Sequence, residues 1–250
     1  MKKLTTSFCL FAVCQTLWGA SFFAVSPGFD EVGPGNASES APFNTMGVTV
    51  RYQEVFGAVD FINFAPSGGY LSFLRFRADE RLGRPFTPTV INNIQISLST
   101  TARRPDGLSA TFADNVGGDN TVVVNGSLTL SSPTGHDFDI RIPFSQPFFF
   151  DPNAGNLLMD IRLFSGGATT VFDAQESFGD SISSIFAVDV NSPIATTITT
   201  RGLVAGFLVT PVPEPGTLAL LGLGACLCGA AAWRQRRVPQ PPPLRPLAPA

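Results

Sequence analysis

Oxygen-bearing side chains crowd one short stretch of the chain, the loop from Asp114 to Asn120, which also contains Gly117 and Gly118. Carboxylate and amide oxygens in a glycine-containing loop suit Ca²⁺, which accepts irregular oxygen coordination. Asp114 and Asp119 are therefore the candidate calcium ligands. The spacing is not that of an EF-hand loop, and the terminal glutamate of such a loop is missing. Because Asn and Asp also shape tight turns, we favour a hairpin turn here over a metal site.

Few features of the sequence indicate a catalytic site. The single histidine, His136, follows a glycine in a predicted turn, and the chain has no Gly-x-Ser-x-Gly elbow, so no Ser-His-Asp triad is expected. Glycoside hydrolysis needs two carboxylates, and any two acids that meet in space could supply them. The acids to test, Asp139, Asp160 and Asp189, fall on polar strand faces, where solvent or arginine is the expected partner. The sequence predicts a protein that is not an enzyme and binds no cofactor.

Cysteine and charge narrow the chemistry of the central region further. Residues 22–211 contain no cysteine, so this region has no disulfide, no cysteine-ligated zinc and no cysteine nucleophile. Residues 25–211 hold ten arginines, no lysine and 18 acidic residues, a net charge of −8. This acidity argues against nucleic acid or an anionic surface as a partner.

Strand-period patterns run through the central region. Within residues 157–164 every odd-numbered residue is apolar, whereas Asp160 and Arg162 share the other face. The segments predicted as strands are 48–56, 59–64, 70–77, 94–100, 121–130, 138–144, 157–164, 169–174, 182–190 and 202–210. Turn residues separate them, and no helix-period window lies between them. We predict an all-β domain over residues 22–211, an antiparallel two-sheet sandwich, jelly-roll-like, with a core rich in phenylalanine.

The N-terminus has the pattern of an export signal. Met1-Lys2-Lys3 is positively charged, residues 4–18 are apolar, and small residues follow at 19–21. We predict a signal peptide over residues 1–21, with cleavage between Ala20 and Ala24. An uncleaved N-terminal anchor is the alternative.

The C-terminus combines a rigid motif, an apolar stretch and an arginine cluster. The motif residues are Val212, Pro213, Glu214 and Pro215. Residues 216–233 carry no charge and are long enough for a short transmembrane helix. The cluster that would stop this helix on the cytoplasmic side consists of Arg234, Arg236 and Arg237. A plain membrane anchor would need only the helix and the cluster.

The order of these parts resembles the PEP-CTERM sorting signal, over residues 212–237. The resemblance implies that exosortase, a membrane transpeptidase-like enzyme, processes the chain after the helix has anchored it in the membrane. Tails of this family usually end within a few residues of the arginines. This chain continues through the proline-rich residues 238–250, for which we predict a disordered tail.

The central region is also similar to a recurring β-rich ectodomain of PEP-CTERM proteins, which has no assigned activity. The similar segments are Gln95–Val123, Phe150–Gly167 and Phe172–Ser192. The sorting tail, which in this family accompanies exopolysaccharide production, implies an exported protein of the cell surface or extracellular matrix, associated with exopolysaccharide. The alternative is a carbohydrate-binding, lectin-like or carbohydrate-active jelly-roll domain. Sugar sites favour exposed aromatic platforms, and residues 22–211 contain two tyrosines and no tryptophan, which disfavours this alternative.

Overall fold

The computed structural model describes residues 21–26, 33–212, 222–229 and 233. The chain divides into two units, residues 1–212 and 213–250, and the strands below belong to the first. They are β1 (Phe22–Ser26), β2 (Ala37–Glu39), β3 (Val50–Phe56), β4 (Gly69–Phe76), β5 (Phe86–Thr101), β6 (Thr121–Ser132), β7 (Ile140–Phe150), β8 (Asn156–Leu163), β9 (Phe172–Glu176), β10 (Ile182–Ala187), β11 (Thr197–Thr199), β12 (Arg201–Leu203) and β13 (Ala205–Pro211). A short helix, α1 (Val59–Ile62), and a 3₁₀ turn, Phe112–Asn115, complete the elements of this unit.

The strands form three antiparallel sheets. Their orders are β1-β13-β4-β7, β11-β10-β3-β8-β5-β6 and β12-β9-β2. The predicted antiparallel all-β class is confirmed, but the prediction of two sheets was wrong. The predicted strand 202–210 is interrupted at Val204, whose N–H donates to the carbonyl oxygen of Asp173 at 3.0 Å. The chain changes sheet at this residue, so β12 joins the three-stranded sheet while β13 joins the four-stranded one.

The main core lies between the four-stranded and six-stranded sheets. Phe56 of β3 and Phe207 of β13 meet across it, with ring centroids 5.1 Å apart in an edge-to-face arrangement. The inward residues of β8 are those that the alternation predicted, and they are fully buried: Leu157, Met159, Ile161 and Leu163. Each such side chain contributes about 1.5–3 kcal/mol through burial of apolar surface.

The segment predicted as a strand at 59–64 is instead the helix α1, which corrects the sequence interpretation. Only Phe61 of its apolar residues is fully buried, and its ring contacts Phe150 at 5.1 Å between centroids. Val59 and Ile62 are exposed. A run of six mostly apolar residues fits a strand or a short helix equally well, and the tertiary contact of Phe61 decides between them.

Several predictions fall on residues outside those that the structure describes. Apart from Ser21, the predicted signal peptide over residues 1–21 is among them. The predicted tail 238–250 is another. These remain predictions.

Candidate functional site

Strand β13 is the last element before the predicted sorting segment. Pro211 is paired with Gly69 of β4, and the N–H of Val212 donates to the carbonyl oxygen of Gly68 at 3.0 Å. The backbone of Val212 is therefore held by the domain. The other predicted sorting residues lie outside the described part of the chain: Pro213, Glu214, Pro215, Arg234, Arg236 and Arg237.

Residues 222–229 and 233 are helical, and they fall within the predicted membrane helix 216–233. Leu223, Leu227 and Trp233 are exposed. Among the residues that the structure describes, no helix is long and apolar enough to cross a membrane. The other residues of the predicted span are not described, so the membrane helix stays a prediction.

The candidate calcium ligands hold the loop by separate hydrogen bonds. Asp119 Oδ1 accepts from the N–H of Thr100 at 2.8 Å, and Asp114 Oδ2 accepts from Ser109 Oγ at 2.9 Å. A Cβ on Gly117 would collide with the carbonyl oxygen of Thr100, so glycine permits the close approach of the loop to β5. Across the described ranges, no group of three or more His, Cys, Asp or Glu side chains is placed to hold a metal ion. The two carboxylates thus act as turn-forming groups in this geometry.

The other acids considered from the sequence also serve the fold. Asp139 Oδ1 accepts from Ser132 Oγ at 2.7 Å, and Asp189 Oδ1 accepts from the N–H of Asn191 at 2.9 Å. His136 is exposed, as the turn prediction implied. No hydrogen bond or ion pair in the described part of the chain joins these three side chains to one another.

Asp160 is paired with arginine, as expected, but it is buried rather than on the surface. Arg51 Nη2 lies 2.8 Å from Asp160 Oδ2, and Gln53 Nε2 donates to the same oxygen at 2.9 Å. Gln53 also donates to the carbonyl oxygen of Phe112 at 3.1 Å, and Asn115 Nδ2 donates to Gln53 Oε1 at 3.0 Å. The guanidinium of Arg51 stacks 4.5 Å above the ring of Phe112. This buried network fastens the 3₁₀ turn to the outer face of the six-stranded sheet.

A groove of about 400 Å³ opens beside this network, on the outer face of the six-stranded sheet. Its floor follows the strand register, in which Arg162 of β8 is opposite Gln95 of β5, and Asp160 is opposite Ser97. Val116 and Asn120, from the loop that carries the candidate calcium ligands, complete its rim. We call this feature the outer groove.

Four polar side chains of the outer groove make no hydrogen bond or ion pair with any part of the chain that the structure describes. They are Gln95, Ser97, Asn120 and Arg162. The alternation of β8 placed Asp160 and Arg162 on one face from the sequence. Strand register and the fold of the loop bring in the other three residues, and neither can be read from local periodicity.

A larger cavity, of about 580 Å³, lies near α1 and is lined by acidic side chains. Asp60 Oδ2 accepts from the hydroxyls of Ser26 and Ser181. Burial raises the pKa of Asp180, and the nearby carboxylates of Asp106 and Asp60 raise this pKa further. Asp180 Oδ1 accepts from the N–H of Ile182 at 3.0 Å, whereas its Oδ2 is buried and has no hydrogen-bond partner in the described part of the chain.

Glu54 is a buried acid that the sequence interpretation missed. It lies on the inward face of β3 between Tyr52 and Phe56, and all three side chains are fully buried. Tyr52 donates its hydroxyl to Glu54 Oε2 at 2.9 Å, while Oε1 has no hydrogen-bond partner within the described ranges. Burial raises the pKa of Glu54 well above its usual value. The signal was present in the sequence, because alternation in 48–56 places this glutamate on the apolar face.

Comparison with known protein families gives a match in the C-terminal segment. Residues 211–237 match the family model described as the PEP-CTERM protein-sorting motif. The matched range includes the Pro-Glu-Pro at 213–215 and the arginine cluster at 234–237. No curated protein matches the chain. The chain therefore carries a PEP-CTERM sorting motif, which implies an exported, surface-targeted protein that exosortase processes.

Proposed function

We propose that this protein is a non-catalytic component of the cell surface or extracellular matrix, associated with exopolysaccharide. The observation that carries the proposal is the sorting motif, whose matched range begins at Pro211, the last residue of β13. A folded β domain is thus followed directly by a segment that directs sorting. In this proposal the signal peptide exports the chain, the helix 216–233 anchors it, and exosortase removes that anchor.

The hydrogen bonds of the acids support a non-catalytic role. Asp160 is neutralised by Arg51, and Asp114 and Asp119 are engaged in shaping their loop. His136 is exposed, and its side chain makes no hydrogen bond to an acid in the described part of the chain. The sandwich, which we take to be jelly-roll-like, then acts as a scaffold that presents a binding surface.

A carbohydrate-active enzyme is the second candidate, and the large cavity near α1 is the feature that favours it. Asp60 and Asp180 both line this cavity, and glycoside hydrolysis needs a pair of carboxylates. A reducing-sugar assay on the host's extracellular polysaccharide separates the two functions. We expect no release of reducing ends, and release that disappears in an Asp60→Asn variant would establish the enzyme.

Processing and association are tested in the native host and in the same host without its exosortase. In the parent strain we expect intact mass to show loss of residues 216–250 and the protein to copurify with matrix polysaccharide. Without exosortase, the uncleaved chain should stay in the membrane fraction. Residues 216–250 still attached in the parent strain would favour simple anchoring, and a processed protein that separates from the polysaccharide would contradict the proposed association.

A further inference from the structure

The outer groove contains more hydrogen-bonding capacity than the protein uses. Gln95 and Asn120 each offer an amide that can both donate and accept, and Ser97 offers a hydroxyl that can do the same. Arg162 adds a guanidinium with five N–H donors. Because none of the four is engaged by the described residues, these groups remain available to a ligand.

Ser97 is the most informative of the four because it is largely buried. The residue is 7% exposed, yet its hydroxyl has no protein partner within the described ranges. Ser97 Oγ is also not among the unpartnered atoms that are cut off from solvent, so it keeps access to the groove. A polar group that loses most of its hydration without gaining a partner costs stability. Because Ser97 Oγ faces the groove, it can form a hydrogen bond with a polar ligand that binds there.

The layout of the groove is rigid. Gln95 and Ser97 are two residues apart on β5, so they point to the same face, and Arg162 lies directly across from Gln95 on β8. Neighbouring strands are about 4.8 Å apart, so these groups form a regular array across adjoining strands. The network of Arg51, Gln53 and Asp160 lies on the same face beside these groups, and Arg51 and Asp160 themselves line the groove. Binding would therefore require little ordering of the protein.

The charge of the groove limits the class of ligand. Arg51 neutralises Asp160, which leaves one unpaired positive charge, that of Arg162. The surrounding domain has a net charge of −8 over residues 25–211, which disfavours the approach of a polyanion. Val116 and Val122 supply small apolar walls, too limited to hold a purely apolar molecule. A ligand rich in hydroxyl groups with short C–H faces meets all of these conditions.

We propose that the outer groove binds a short, uncharged, hydroxyl-rich saccharide segment of the matrix polysaccharide, a conclusion that rests on the proposed function. Hydroxyl groups of the sugar pair with Gln95, Ser97 and Asn120, and Arg162 donates to hydroxyl or ring oxygens. The groove volume lies near the lower end of the range for ligand pockets, roughly 300–1,000 Å³, which suits a short piece of polymer. Ring C–H groups pack against Val116 and Val122, which take the place of the aromatic platform that sugar sites favour and that the described lining of this groove lacks.

The test uses processed protein purified from the host and oligosaccharides prepared by partial hydrolysis of the host's matrix polysaccharide. Isothermal titration calorimetry measures their affinity for the wild-type protein, Ser97→Ala and Arg162→Gln. Each variant should bind about twofold to tenfold more weakly, the effect of losing one hydrogen bond. Neither change removes a hydrogen bond within the described protein, so neither should lower the melting temperature. Arg141→Gln, an exposed arginine on β7 of the other large sheet, is the matched control and should bind like the wild type.

The outcomes distinguish failure of the proposed saccharide site from failure of the proposed polysaccharide association. Equal affinity in the wild type and both groove variants would overturn the groove while leaving polysaccharide association intact. The same holds if the wild type copurifies with the matrix but binds none of the uncharged fragments. If the wild type does not copurify with the matrix, the proposed function fails, and the groove assignment fails with it.

Discussion

The hydroxyl groups of Ser21 and Thr210 are hydrogen-bonded to each other, with Oγ and Oγ1 2.8 Å apart. Ser21 is the last residue of the predicted signal peptide, and Thr210 lies in β13, just before the sorting motif. The pairing continues from Phe22 opposite Val209 to Ser26 opposite Ala205. The first strand of the exported domain and the strand that leads to the sorting motif are therefore neighbours in one sheet.

This pairing restricts where the signal peptide can be cut. Cleavage after Ala20 or Ser21 leaves all of β1 in place, whereas cleavage near Ala24 would remove most of it. We expect N-terminal sequencing of the exported protein to find Ser21 or Phe22 as the first residue. A mature chain that begins at Ala24 or Val25 would show that β1 is not needed.

Deleting residues 22–26 from the mature protein should destabilise the domain. Ala24 is fully buried and Val25 nearly so, and loss of β1 also leaves β13 as an unpaired edge strand. We expect a loss of about 3 kcal/mol in unfolding free energy, measured by urea denaturation. Thr210→Val is the control, because it keeps β1, removes one hydroxyl of an exposed hydrogen bond and should change the free energy little.

Calcium should have little effect on stability. Asp119 already accepts a hydrogen bond from Thr100 of β5 and Asp114 accepts one from Ser109, and no bond joins the two carboxylates among the described contacts. For a site with a Kd of about 1 mM, 1 mM Ca²⁺ would add about 0.4 kcal/mol, or roughly 1–2 °C in melting temperature. Thermal denaturation with Ca²⁺ and with a chelator measures the shift. A large increase that disappears in the Asp114→Ala, Asp119→Ala double variant would establish a calcium site.

Asn115→Ala should loosen the segment that covers the outer face of the six-stranded sheet. The substitution removes the donor to Gln53 Oε1, which is fully buried, and leaves this oxygen without a partner. We expect a loss of about 1–3 kcal/mol in unfolding free energy. Amide hydrogen exchange should increase locally at the 3₁₀ turn, Phe112–Asn115. Asn191→Ala, at an exposed position, is the control, and equal losses in both variants would argue against the network.

Local periodicity predicted a strand correctly where one face of that strand is buried along its whole length. In β5 and β8 the inward residues are continuously apolar, so alternation placed them correctly: Ile94, Ile96, Leu98, Leu157, Met159, Ile161 and Leu163. Local periodicity gave the wrong prediction where long-range contacts determine the secondary structure or the sheet to which a segment belongs. The change of sheet at Val204 depends on a hydrogen bond to Asp173, and helix α1 depends on the packing of Phe61.

The candidate functional residues also include some that the sequence predicted and others that only the structure identifies. The sorting segment was recognisable because its order of motif, apolar stretch and arginines is contiguous in sequence. The outer groove was not recognisable, because its residues come from β3, β5, β6, β8 and the segment 113–120, which are far apart in the sequence. Arg162 and Asp160 could be placed on one face in advance. That Arg51 neutralises Asp160 and leaves Arg162 available follows only from the structure, because the register of β3 against β8 places Arg51 opposite Arg162 and diagonal to Asp160.

Glu54 predicts a dependence of stability on pH. Burial raises its pKa well above the usual value, so the folded protein binds this proton more tightly than the unfolded chain does. The stabilising effect of protonation is complete below the unfolded pKa of about 4.3, and it is lost as the pH rises through the folded pKa. At neutral pH the unfolded chain is ionised at this position, so Glu54 lowers the stability of the fold.

Glu54→Gln should therefore stabilise the protein near neutral pH, because the amide is uncharged in both states and can still accept from Tyr52. We expect a gain of about 1–3 kcal/mol at pH 7 that shrinks as the pH falls toward 4. Urea denaturation of the wild type and the variant across this pH range measures the difference. Glu176→Gln, at an exposed acid on β9, is the control and should not reproduce this pH dependence. A gain that is independent of pH, or that grows on acidification, would show that Glu54 does not bind its proton more tightly in the folded state.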